Sequence, residues 1–148
     1  MYYQNKNKNS TIPKKWFFFD PDVYSDHETL SDITSKMGVV FFSENLESNQ
    51  FLPRIQPYVS LCRQKNIKFI IPFSPFWANK YKAFGVIIDL NKKTTNNFTK
   101  KSYKKYLIVS KVHGFKEAHL AKKFVDLIFL SPAYRTTSYP TKKPLSNY

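Results

Sequence analysis

Glycine is scarce in this chain, with three among 148 residues. Neither GxGxxG nor GxxxxGK[ST] can be found, so the dinucleotide and P-loop ways of cradling phosphate are excluded. Cysteine is scarcer still. Cys62 stands alone, which rules out an internal disulfide and any cysteine-based zinc cluster. It falls in the apolar row of an expected helix, as a small core residue rather than a nucleophile. No apolar run approaches the roughly 18 residues of a membrane span. The first fifteen residues also lack the apolar centre of a secretory signal. The expectation is a soluble, cytoplasmic protein without a membrane partner. Acidic residues are few as well: 10 Asp and Glu face 24 Lys and Arg, for a formal charge of +14. Such a charge attracts phosphates, nucleic acids or anionic membranes. However, Lys, Asn, Phe, Tyr and Ile are abundant together, as an AT-rich genome produces whatever the function. The lysines are scattered rather than set on one helix face among aromatics. A solvated basic surface is favoured, and a nucleic-acid partner is not expected.

What the chain does have is a series of short apolar runs, at residues 16–19, 39–42, 69–71, 85–88, 106–109 and 127–130. Hairpin links take two to five residues, whereas parallel crossovers take about a dozen or more. The starts of these runs lie 16 to 30 residues apart, which predicts repeated strand–helix units. Residues 1–14 are polar, without period, and read as a flexible arm ahead of one domain over 15–148. A folded chain of this length buries roughly 68–70% of its extended surface.

The segments between the runs carry helix signals. Ser25 and Glu28 form a capping box ahead of Leu30, Ile33 and Met37. Pro57 suits the first helical turn, with Val59 and Cys62 on one face. Ser74-Pro75 is a second start signal. Phe115, Ala118, Ala121 and Val125 keep a three- to four-residue rhythm, which predicts an amphipathic helix. Residues 91–105 are polar and lysine-rich, so a loop or weakly packed helix is expected there. The result is an α/β chain with a parallel sheet of about six strands and flanking helices. Spacing alone allows either an open doubly wound sheet or a barrel. A complete eightfold barrel takes about 200–250 residues, so this chain would supply only part of one.

The last strand and the loop after it, residues 126–142, are the most informative stretch. Asp126 is followed by Leu127, Ile128, Phe129 and Leu130, an apolar run of the kind that parallel sheets bury on both faces. The loop brings Ser131, Arg135, Thr136, Thr137, Ser138 and Lys142 together in sequence, hydroxyls and cations suited to a phosphate or small molecule. Loops after parallel strands are where such folds place function.

Several strings resemble the thiamine phosphate synthase/TenI family. Phe41-Phe42-Ser43-Glu44-Asn45 stands where the family has a strand ending like Gln-Leu-Arg-Glu-Lys. Leu61-Cys62 matches a Leu-Cys near a helix end, and Gly85-Val86-Ile87-Ile88 is similar to Gly-Val-His-Leu. Lys111-Val112-His113 stands at a Ser-x-His strand end, and Gly114-Phe115-Lys116-Glu117-Ala118 at the helix that follows. Most specific is Asp126 to Pro132 with Thr136, Ser138 and Pro140. It looks like Asp-Tyr-Val-Phe-Leu-Gly/Ser-Pro followed by Thr-x-Ser-His-Pro.

The resemblance implies an incomplete (βα)8 TIM-type barrel. It also implies a protein of thiamine biosynthesis that binds thiazole or pyrimidine phosphates, either as a transferase or as a thiazole tautomerase. It places His113 as the catalytic proton carrier. It makes Ser43, Glu44, Asn45, Lys111, Ser131, Thr136 and Ser138 the substrate- and phosphate-binding residues. Mg²⁺ is implied for the synthase, because pyrophosphate departure needs cations to take up charge. The chain departs from that pattern at several positions. Ser43 and Asn45 replace Arg and Lys, and Pro72-Phe73 replaces an Asn-Asp pair that binds diphosphate and metal. Asp89 stands two or three residues before the expected acid, Lys111 replaces Ser, and Tyr139 replaces Lys. The tautomerase's second His would fall at Pro132. A degenerate, non-catalytic relative or fragment is therefore an alternative, and a basic nucleic-acid-binding module is a second one. Two absent units would expose strand edges, which calls for a partner, homo-oligomerisation or a rearranged closure.

Overall fold

The computed structural model describes residues 2–4, 12–24, 28–43, 48–90 and 103–131. The chain divides into two compact units, residues 10–86 and residues 1–9 together with 87–148.

In the unit of residues 10–86 the order is β2 (Lys15–Phe19), α1 (Glu28–Ser31), β3 (Met37–Phe41), α2 (Ser48–Arg54), α3 (Gln56–Gln64), β4 (Phe69–Pro72) and α4 (Pro75–Tyr81), and β5 (Gly85–Ile88) begins in it. β2 runs parallel to β3, and β3 parallel to β4. β3 is buried at four of its five positions and β5 at all four. These strands do not alternate apolar and polar residues, because parallel strands are covered on both faces. Packing centres on Phe19, which is fully buried and meets Phe41 edge-on at 5.7 Å and Tyr58 at 4.7 Å between ring centroids. Phe51, Leu52, Ile55, Val59 and Cys62 bury the inner sides of α2 and α3. Trp16 and Gly38 are register partners, and a Cβ at Gly38 would run into the indole. Glycine is needed there for close approach. Pro57 lies in the first turn of α3, and Ser74 caps α4, its hydroxyl accepting from the Trp77 amide at 3.4 Å. The start signal at Ser25 falls outside the described residues.

The unit of residues 1–9 and 87–148 contains β1 (Tyr2–Gln4), the end of β5, β6 (Leu107–Val112), α5 (Phe115–Ala121) and β7 (Leu127–Leu130). β6 and β7 are parallel, Val109 opposite Leu127 and Val112 opposite Leu130. β1, inside the segment expected as a polar arm, pairs antiparallel with β7, Tyr2 opposite Phe129 and Gln4 opposite Leu127. It thus gives β7 a partner on the edge away from β6, where hydrogen-bonding groups would otherwise lie open. Asp126 is buried, and its carboxylate accepts from the Ile108 amide at 3.0 Å, while its own amide donates to the Ile108 carbonyl. These bonds bring β7 in beside β6. Ala118, Ala121 and Val125 form the buried face that the rhythm predicts. Phe115 does not join them and is 65% exposed. Helical side chains lean toward the N-terminus, so a first-position ring overshoots the sheet.

The strand order is β1-β7-β6-β5-β4-β3-β2. Six strands, β2 to β7, are parallel, with helices between β2 and β5 and between β6 and β7, which makes the chain an incomplete TIM-type barrel. No helix among the described residues is long and apolar enough to cross a membrane.

Candidate functional site

The end of β6 carries the best-defined group of polar contacts. The Ser131 amide donates to the Val112 carbonyl at 3.0 Å, which continues the β6–β7 pairing one step past both strands. This holds the Ser131 carbonyl beside the residue that follows β6, His113, whose Nδ1 stands 2.6 Å from it. A carbonyl oxygen can only accept, so Nδ1 carries the proton, and the neutral ring has its lone pair on Nε2. The ring plane is thereby fixed. The backbone beneath it is fixed too, because the His113 amide donates to Glu117 Oε2 at 2.9 Å. Glu117 lies in the first turn of α5, where a carboxylate is favoured by the amides that have no helical partner.

Around this turn the strands supply less titratable chemistry. Ser110 is buried, and its hydroxyl donates to the Ile88 carbonyl at 3.1 Å. It ties β6 to β5 and is a structural residue. Lys111 is half-buried on β6, opposite Phe129 of β7. Asp89 is exposed immediately after β5. A half-buried imidazole with one nitrogen anchored, at the C-terminal end of a parallel strand, is suited to move a proton on a small molecule.

Of the residues proposed from sequence, the structure brings His113 and Ser131 into contact and places Lys111 on β6, with His113 directly after the strand's end. The contact uses the Ser131 carbonyl, which any residue could supply. Ser43 is half-buried, two residues beyond β3, in the other unit. Glu44, Asn45, Thr136 and Ser138 fall outside the described residues, as do His27 and residues 91–102. His119 is exposed on α5. Glu117 was missed as a site residue. Its signal was present: an acid three residues past Gly114, at a helix start, is placed to reach back to an amide before the cap. Cys62 is buried in the core, and desolvation, only partly offset by Lys65, pushes its thiol up to about 12. It is a thiol near neutrality and not a nucleophile.

Three comparisons bear on this geometry. No protein-family model matches the chain, and no curated protein matches it in sequence. Among solved structures, a thiamine phosphate pyrophosphorylase from Pyrococcus furiosus is similar, with a TM-score of 0.52 and 15% identity over 74% of this chain. The likeness is one of fold. The chain spans 55% of that structure's length.

The Mg²⁺ implied by the family resemblance does not fit the donors that stand here. β4 ends at Pro72 and is followed by Phe73, neither with a ligating side-chain atom. Among the described residues there is no cluster of three or more His, Cys, Asp or Glu able to hold a metal.

Proposed function

We propose that this chain is a relative of the thiamine phosphate synthase/TenI group that binds a phosphorylated thiazole and shifts a proton on it, with His113 as the proton carrier. The observation that carries this reading is the 2.6 Å contact between His113 Nδ1 and the Ser131 carbonyl. It sets the tautomer a base needs and aims the ring from a strand's C-terminal end. The neutral Nε2 accepts a proton from one atom of the heterocycle, the ring double bond moves, and the imidazolium returns a proton to a second atom. No electrons are gained or lost, and no metal takes part. The synthase reaction is disfavoured by the same residues, since Pro72 and Phe73 offer nothing to a diphosphate or its cation. Lys111, with Thr136, Ser138 and the Ser131 end of β7, is proposed to meet the phosphate; Ser43, Glu44 and Asn45 are the proposed contacts after β3.

Incubating the purified chain with a thiazole carboxylate phosphate, and following proton exchange in deuterium oxide by NMR, tests the reading. Exchange above the uncatalysed rate, with a thermal shift on binding, is the expected result. A shift without exchange would leave a binding protein, the degenerate alternative. Neither signal would end the proposal. A parallel incubation with the pyrimidine diphosphate, thiazole phosphate and Mg²⁺ should yield no thiamine phosphate.

A further inference from the structure

Helix α4 carries a graded aromatic face that the proton-transfer site does not use. Its inner side is pinned: Tyr81 is buried, and its hydroxyl donates to the Leu52 carbonyl of α2 at 2.7 Å. Trp77 packs on Tyr81 with ring centroids 5.1 Å apart. Phe76 meets Trp77 edge-on at 5.4 Å. The Lys80 ammonium stands over both outer rings, 4.5 Å from Trp77 and 6.0 Å from Phe76. Exposure rises along this series, from 4% at Tyr81, through a half-buried Trp77, to 68% at Phe76. A ring this exposed has water to shed, and the anchored rings behind it have little side-chain freedom left to lose on binding.

In sequence, the charge on either side of α4 is of one sign. Residues 48–88 include Arg54, Arg63, Lys65, Lys68, Lys80 and Lys82 and no Asp or Glu at all. Arg54 is paired with Asp22, Lys68 stands over Phe84 and Lys80 over Trp77; Lys80 and Lys82 are both exposed on or next to α4. An anion with a flat face complements such a surface. Size decides between the anions. A stable protein interface takes about 800 Å² from each partner, and a membrane-surface helix shows an apolar stripe along its length. In the unit of residues 10–86, Phe76 and Val23 are the exposed large apolar side chains among the described residues. One ring and a flanking indole are too little for either, but they match the footprint of one or two bases.

We propose that the outer face of α4 is a docking surface for single-stranded nucleic acid, with bases stacking on Phe76 and Trp77 and the adjoining phosphates held by Lys80 and Lys82. Composition alone argued against such a partner, because no aromatics were seen among lysines on one face. The helix supplies that arrangement by placing positions 76, 77 and 80 side by side.

The test uses the full chain and fluorescence anisotropy of three labelled or labelled-lipid probes: a twelve-nucleotide oligothymidylate, an abasic strand of equal length, and vesicles rich in phosphatidylglycerol. The oligothymidylate should bind about tenfold more tightly than the abasic strand, the increment of a stacked base. Phe76→Ala should remove that preference and leave abasic binding unchanged. Lys80→Gln should lower the steepness of the salt dependence by about one phosphate contact. Trp77→Phe, which keeps a ring, should bind within about twofold of the natural chain, and it maintains the test if Phe76→Ala melts early. Equal affinity for the two strands would reduce the surface to a polyanion binder and overturn the proposal. So would a Phe76→Ala variant that binds oligothymidylate unchanged, or Phe76-dependent binding to vesicles in preference to either strand.

Discussion

The turns that follow β4 and β6 are built alike and carry different side chains. Each leaves a parallel strand, spends two residues in extended or bent backbone, and enters a seven-residue helix. After β6 the turn holds His113, locked by the Ser131 carbonyl on one side and Glu117 on the other. After β4 it holds Phe73 and Ser74, and the helix opens with Pro75 and the rings of Phe76 and Trp77. The helix caps differ in the same sense. α4 is capped by the side chain that precedes it, Ser74, whereas at α5 a carboxylate from inside the helix reaches back past Gly114, a cap without a side chain. A frame of strand, turn and helix therefore prescribes no chemistry. The side chain at the turn does, together with the atoms that restrain it.

The contrast breaks first at His113. Replacing it by Ala should lower proton exchange on a thiazole phosphate by about 10²–10⁴-fold, the usual worth of a positioned acid–base group. Phe76→Ala should leave that rate within about twofold, because the two turns are proposed to carry separate functions. Equal losses in the two variants would unite the turns in one site.

Next in size is Tyr81→Phe, which leaves the Leu52 carbonyl without its buried donor and should cost about 1–3 kcal/mol in chemical denaturation. Burial raises the Tyr81 hydroxyl above its ordinary 10.0. Its contribution is therefore whole below pH 10 and declines as the pH climbs through the raised value. The Phe variant should flatten that alkaline limb of the stability profile.

Glu117→Ala sharpens the comparison on the other side. Loss of the bond to the His113 amide should cost about 1 kcal/mol, and it should slow exchange while His113 is still present. Glu117→Gln keeps an acceptor and should recover most of the stability. The smallest effect is expected at Ser74→Ala. The hydroxyl bond there is long, at 3.4 Å, so the loss should sit near the low end for an N-cap, about 0.5 kcal/mol by denaturant midpoint.

Much of the architecture could be read directly. Six apolar runs became six parallel strands at the expected positions, because period and spacing are local properties of the chain. The starts of α3 and α4 were legible in Pro57, Ser74 and Pro75 for the same reason. Phe115 was misjudged, since a helical rhythm assigns a residue to a face without knowing where the sheet ends beneath it. Tyr2–Gln4 held no strand signal of their own, and their place depends on the open edge of β7. His113 was picked out by its position at a strand end, but its partner was not. Nothing in Ser131 as a residue type announces that its carbonyl will sit 2.6 Å from an imidazole.

By itself the sequence determined the number of strand–helix units, their parallel direction and the absence of any glycine-rich phosphate cradle, all consequences of residue type and spacing along one line. Tertiary structure alone decided that His113 meets the Ser131 carbonyl across eighteen residues and that β1 returns to the edge of β7. It also decided how far Phe76, Trp77 and Tyr81 each emerge from the core. Hydrogen-bond partners and exposure are set by which surfaces arrive beside one another, and that is a property of the packed chain.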